Sequence, residues 1–172
     1  DSPLSPLMYG IAGLLRTDEE KEFADSLKKE WVRILNIGFV TPFFTPLAGG
    51  SAISPYNLAL KLSEKHSLSV FTTNYMRSKK KFPNEDRFNV IDVPINLNYK
   101  HFYYSPKLGD ELNKNDIDLF HFHNFRTYQN LVVKKYSKIN NIPFIIQARG
   151  SLNRINDQFN FKRLFDYIYG FD

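Results

Sequence analysis

Three short stretches combine residue types that can do chemistry. The first runs Thr41-Pro42-Phe43-Phe44-Thr45-Pro46-Leu47-Ala48-Gly49-Gly50-Ser51. Two glycines before a helix let the backbone come close to a ligand, and the N–H groups and positive dipole end of a helix start suit a phosphate. The same pair also serves as a plain tight turn. Neither a Walker loop nor Gly-x-Gly-x-x-Gly is present. The second stretch is His121-Phe122-His123-Asn124-Phe125-Arg126. On a strand, His121 and His123 share a face. They suit a metal, but no third ligand has the right spacing. The other arrangement is one core histidine and one lining a site, with His123, nearer the strand end, donating to a hydroxyl-rich ligand. Arg126 is expected to open the next helix, facing either an anion or solvent. The third stretch is Gln147-Ala148-Arg149-Gly150-Ser151-Leu152. An arginine at a strand end followed by glycine can meet a phosphate or carboxylate, or form an ordinary salt bridge.

These stretches need elements to position them. Ile34–Val40 is a mostly apolar run, suited to a strand covered on both faces. A helix is expected over Ser51–His66, with Ile53, Tyr56, Ala59, Leu60 and Leu62 inward and Pro55 tolerated only in the first turn. Strands follow at Leu68–Thr73 and Val90–Ile95, separated by a basic surface loop over 76–89. Pro106–Asn113 reads as a helix, Asp118–His123 as a strand, Thr127–Asn140 as a helix, Phe144–Ala148 as a strand and Phe159–Tyr169 as a last helix. The order from residue 33 is β-α-β-β-α-β-α-β-α. Such alternation implies an α/β fold: a Rossmann-like, mostly parallel sheet with helices on both faces. Ligands of such sheets bind beyond the carboxyl ends of the strands, where all three stretches lie.

Residues 1–32 read differently. Ser2-Pro3 and Ser5-Pro6 are turn signals. Thr17 then caps an expected helix over 17–30 with Phe23, Leu27 and Trp31 on one stripe. We therefore divide the chain into an N-terminal extension, 1–32, and a Rossmann-like domain, 33–172. The start has no basic leader or small-residue cleavage site and is not read as a signal peptide.

Bulk composition narrows the classes. Apolar residues make up 42% and charged residues 24%, a globular balance rather than a disordered one. With 23 basic and 18 acidic side chains the formal charge is +5, which favours anionic partners without choosing among them. Cysteine is absent, so no disulfide framework or thiolate metal site exists, in keeping with a cytoplasmic protein. No run of about 18 apolar residues spans a membrane.

From about 33 to 171 the chain resembles the N-terminal domain of family-4 retaining glycosyltransferases of the GT-B fold. The resemblance rests on Ile34–Val40, Pro42 with Gly49-Gly50, the Asn57–Leu62 helix and the Ser67–Thr73 strand. It continues through Asp116-Ile117-Asp118-Leu119-Phe120-His121-Phe122-His123-Asn124 and Ile142-Pro143-Phe144 leading to Arg149-Gly150. It implies a nucleotide-diphospho-sugar donor, with UDP or GDP as nucleotide, held without a metal or other cofactor in a cleft between two Rossmann-like domains. The acceptor is a glycan or lipid-linked sugar. The resemblance assigns the diphosphate to Gly49, Gly50 and Ser51. It assigns the reacting centre to His123 and Arg149, and the acceptor to Asn124, Arg126 and Gly150. Relatives commonly carry His where Arg149 stands. Arginine cannot act as a general base at neutral pH but can hold a phosphate or an acidic acceptor. The family's donor-binding basic pair and paired glutamates belong to a C-terminal domain beyond Asp172. Residues 1–172 are therefore expected to show little transfer alone.

Other readings remain. One is a non-catalytic Rossmann-like module that binds a nucleotide or glycan. Nucleic acid is not expected, since no recognition motif accompanies Lys79-Lys80-Lys81-Phe82. An anionic membrane surface is a further candidate partner, at the inner face of the membrane. Arg77–Phe82 and Tyr99-Lys100-His101-Phe102-Tyr103-Tyr104 mix cations with aromatics as interfacial patches do, and also as ordinary loops do.

Overall fold

Apolar runs at Asn36–Val40 (β1), Ser67–Thr73 (β2), Asn89–Val93 (β3), Leu119–His123 (β6) and Phe144–Gln147 (β7) form one parallel sheet, in the order β3-β2-β1-β6-β7, in a computed structural model of the chain. The structure describes residues 17, 18, 22, 33–99, 102–148 and 167. Apart from residues 17, 18, 22 and 167, the expected helices over 17–30 and 159–169 lie outside these residues, as do Arg149 and Gly150. The chain divides into two units, Asp1–Ile34 and Leu35–Asp172, and the sheet belongs to the second.

Helices cover both faces. Gly50–Leu62 (α1) follows β1, Leu108–Leu112 (α2) precedes β6, and Tyr128–Asn140 (α3) follows β6. On one face Ile37, Phe39, Leu68 and Val70 pack with Ala52, Tyr56 and Ala59 of α1 and with Phe44, Phe82 and Phe88. On the other, Val40, Phe71, Phe120 and Phe122 pack with Leu108, Leu112 and Val133 of α2 and α3. Burial of this many aliphatic and aromatic groups is the main stabilising term. The α/β fold expected from the alternation is the fold observed.

Local expectations change in four places. Ile34 is 67% exposed and β1 begins at Asn36. There the Asn36 N–H donates to the Asp118 carboxylate at 2.8 Å and the Asp118 N–H to the Asn36 carbonyl at 2.8 Å, aligning β1 with β6. Ile53 is 42% exposed; Ala52, Pro55, Tyr56 and Ala59 form the inner face of α1 instead. Pro55 lies inside the helix rather than in its first turn, giving up one ladder bond while its ring is buried. The fourth change is an antiparallel hairpin, Leu97–Tyr99 (β4) with Phe102–Tyr104 (β5), that the sequence reading had not assigned.

Gly38 explains how closely β1 and β6 pack. It stands opposite Phe120, and a Cβ there would lie 2.7 Å from the Phe120 ring.

Candidate functional site

The strand order locates the site. From β1 the chain crosses to β2 on one side, while β6 lies on the other. The helix after β1 packs on one face and the helix after β6 on the opposite face. The loops leaving β1 and β6 therefore part, opening a crevice at their carboxyl ends.

The β1 side of this crevice is a shaped loop. The Thr41 N–H donates to the Phe71 carbonyl at 3.1 Å and the Thr41 hydroxyl to the Phe43 carbonyl at 3.0 Å. A 3-10 turn, Pro46–Ala48, starts at Thr45, whose hydroxyl also donates to the Lys80 carbonyl at 2.6 Å. Gly49 then adopts φ 66° and ψ −149°, a backbone region that essentially only glycine occupies. Among the described residues nothing lies within 4 Å of a Cβ built on Gly49 or Gly50. No side chain caps α1 and no acid stands in its first turn. Its leading N–H groups thus present a positive helix end that no described side chain caps. Ser51 donates its hydroxyl to the Ala48 carbonyl at 2.9 Å, so it closes the turn.

An ion cluster around the buried Arg77 braces this loop from behind. Arg77 is 3% exposed and binds the carboxylates of Glu85 and Asp92 and the Phe44 carbonyl. Burial works against its charge, but the hydrogen bond to Glu85 and the charges of Asp92 and Glu85 outweigh it and raise its pKa. Burial also raises the Asp92 carboxyl, with Arg77 opposing. The expectation of a basic surface loop over 76–89 thus holds for exposed Lys79, Lys80 and Lys81 and fails for Arg77 and Phe82. Phe82 stacks on Tyr56 at 4.2 Å, inside the core.

The β6 side ends in His121 and His123 on the same face, their rings 4.2 Å apart. His123 is fully buried, with the Phe39 ring 4.4 Å away. No group of three metal-ligating side chains forms among the described residues. Beyond the strand, Asn124 and Arg126 both take left-handed backbone conformations, φ 75° and 59°. Such residues cost about 1–3 kcal/mol each and cluster at functional sites. The Asn124 N–H donates to the Gln147 carbonyl at 3.0 Å, joining the ends of β6 and β7. Its carbonyl accepts from the Asn130 side chain at 2.9 Å. The Asn124 amide nitrogen and the Asn130 amide oxygen are buried with no hydrogen bond among the described residues. Arg126 does not open α3: Thr127 is the cap, its hydroxyl accepting from the Asn130 N–H at 3.2 Å. The Arg126 guanidinium lies 4.7 Å from the Phe125 ring centre.

The hairpin adds a wall that sequence reasoning missed. Tyr103 packs against Tyr75 at 4.8 Å and Phe43 at 6.2 Å. The Gln129 side chain donates to the Tyr103 carbonyl at 2.8 Å, tying the hairpin to the first turn of α3. Burial, then Tyr75, pushes the Tyr103 phenol up to about 12. The signal was present in the apolar pairs Leu97/Tyr104 and Tyr99/Phe102 on either side of a two-residue connection.

The expected site residues therefore fall into two described groups, Gly49-Gly50-Ser51 after β1 and His123-Asn124-Arg126 after β6, on neighbouring strands. No protein-family model matches the chain, and no curated protein matches it.

Proposed function

We propose that the Leu35–Asp172 unit is the acceptor-side half of a retaining, family-4-like glycosyltransferase of the GT-B fold. The supporting observation is the open, glycine-lined start of α1 beside the end of β6 at the point where the strand order reverses. In this reading the Gly50 and Ser51 N–H groups meet the diphosphate of a UDP- or GDP-sugar. The carboxyl end of β6, with Asn124 and Arg126, meets the hydroxyl-rich glycan or lipid-linked acceptor, and Arg149 and Gly150 join it. A second Rossmann-like domain supplies the cations that hold the leaving diphosphate while the acceptor attacks on the same face. No metal or other cofactor enters the reading.

Amide spectra of the full chain titrated with UDP, GDP and their sugar conjugates test this. The Gly50 and Ser51 signals are expected to shift with diphosphates and to stay in place with the parent nucleosides. Unchanged spectra at millimolar nucleotide overturn the proposal.

The complete burial of His123 favours a second reading, a non-catalytic Rossmann-like module that binds a nucleotide or glycan without turnover. Binding would then persist with no sugar release or transfer, even when a donor-binding partner domain is supplied. Transfer under those conditions decides for the enzyme.

A further inference from the structure

Three amide side chains converge where the end of β6, the β4–β5 hairpin and the start of α3 meet. Asn130, 0% exposed, donates its amide nitrogen to the Asn124 carbonyl at 2.9 Å. Gln129, 1% exposed, donates its own to the Tyr103 carbonyl at 2.8 Å and to the Ser105 hydroxyl at 3.4 Å. A carbonyl accepts only from the nitrogen end of an amide, so both orientations are fixed. Asn130 Oδ1 and Gln129 Oε1 are then buried with no hydrogen bond among the described residues, and so is Asn124 Nδ2. Leaving buried amide atoms unpaired is costly, and each such atom calls for a partner.

Aromatic rings stand beside these amides. Tyr103, whose carbonyl holds Gln129, packs its ring against Tyr75 at 4.8 Å and Phe43 at 6.2 Å. Phe43, Tyr75 and Asn124 follow β1, β2 and β6, so all three stand at carboxyl ends of the sheet. They are half-buried and meet solvent, while Gln129 and Asn130 form the buried layer. The unfilled capacity is two acceptors and one donor. An ionised phosphate or carboxylate brings only acceptors and would set oxygen against oxygen. A hydroxyl both donates and accepts, so neighbouring hydroxyls of a sugar ring can fill both kinds. The apolar face of such a ring suits aromatic side chains.

We infer that Asn124, Gln129 and Asn130, with Tyr75 and Phe43, form a subsite for an uncharged pyranose, recognised through its hydroxyl donors. That this sugar is the acceptor rests on the proposed function; the subsite itself does not. It gives hydroxyls to the start of α3 and leaves phosphate to the start of α1.

Side-chain amide and tyrosine ring spectra of the full chain test the subsite. The probes are the methyl glycosides of glucose, mannose and galactose, their fully O-methylated derivatives, and inorganic phosphate. At least one glycoside is expected to shift the Asn124, Gln129 and Asn130 amides and the Tyr75 ring. The O-methylated sugars, which keep the ring and lose every hydroxyl donor, should leave them in place, as should phosphate. Asn124→Gly removes an amide at a left-handed position that glycine accepts, so the fold should be kept while the glycoside midpoint rises about three- to tenfold. If its melting temperature falls, Tyr75→Leu against Tyr75→Phe carries the comparison, with weaker binding expected only for the leucine variant. No shift with any glycoside, equal shifts with the O-methylated sugars, or unchanged midpoints in the variants overturn the inference. UDP added in parallel separates the two readings. Gly50 and Ser51 shifts with UDP but no amide shifts with glycosides sink the subsite alone. Amide shifts with glycosides but none with UDP sink the glycosyltransferase reading alone.

Discussion

Arg77 and Glu85 meet in a two-pronged contact, Nη1 to Oε1 at 3.1 Å and Nη2 to Oε2 at 2.7 Å. The same guanidinium reaches the Phe44 carbonyl in the loop that leads to Gly49, and the Asp92 carboxylate on β3. Glu85 also accepts from the Phe82 N–H at 2.8 Å. One cation thus joins the loops after β1 and β2. Replacing it by Met leaves two carboxylates without their counter-ion, which costs about 3–5 kcal/mol for a buried pair. Urea unfolding of Arg77→Met should show a loss of that size. Arg77→Lys should recover only part of it, because an ammonium cannot reproduce the fork. A loss below 1 kcal/mol for Arg77→Met, about the value of a surface pair, would remove the brace from this account.

Gly49 and Gly50 are expected to separate stability from binding. Gly49→Ala forces a Cβ into a backbone region that excludes it and should destabilise the domain by about 1–3 kcal/mol. Gly50 is the first residue of α1, with no described atom within 4 Å of a Cβ built there, so Gly50→Val should fold normally. Under the proposed function it should nonetheless weaken diphosphate binding, because the new side chain fills the approach to the helix start. Calorimetric titration with UDP and GDP, beside a melting curve, reads both effects. Unimpaired binding by Gly50→Val would remove the diphosphate from this loop.

Gly38→Ala should destabilise without touching the site. Its Cβ would meet the Phe120 ring at 2.7 Å and the Ile117 methyl at 3.2 Å, both in the second core. Overpacking of this kind costs about 1–3 kcal/mol. A Gly38→Ala/Phe120→Leu double variant should recover part of the loss in denaturant titrations. Additive losses would show that the ring is not the obstacle.

Tyr103 predicts an alkaline limit. Its phenol is raised from 10.0 to about 12 in the folded chain, so the fold favours the neutral form. A raised folded pKa gives stability that is complete below the unfolded value and lost as pH rises through the folded one. Unfolding free energy should therefore fall between pH 10 and 12. Tyr103→Phe, which keeps the ring and removes the proton, should fall less steeply over that window. Parallel curves for the two proteins would rule out Tyr103 as the titrating group.

The class of fold was legible in the chain because its signals are local. Val70-Phe71 and Phe120-His121-Phe122 sit in short apolar runs that parallel strands covered on both faces require. Thr127 and Asn141 mark the two ends of α3 by side-chain capping and by a left-handed residue, both readable from residue type. Gly49 was readable as a special backbone position, and its φ of 66° agrees. The inner face of α1 was harder. Periodicity pointed to Ile53, whereas the packing of α1 against β2 and the Phe44 loop places the smaller Ala52 inside.

The sequence by itself determined that strands and helices alternate, that two glycines precede α1 and that two histidines share one face of β6. Periodicity, turn chemistry and the pleat decide these within a few residues. Tertiary structure decided that β6 pairs with β1 rather than extending the sheet beyond β3, and this alone brings Gly49 and Asn124 to one crevice. It also decided that Arg77 lies inside while Lys79, Lys80 and Lys81 stay in water. A guanidinium enters the interior only where carboxylates from separate segments converge on it, and the meeting of Glu85 and Asp92 at Arg77 is set by the packing of β2 against β3.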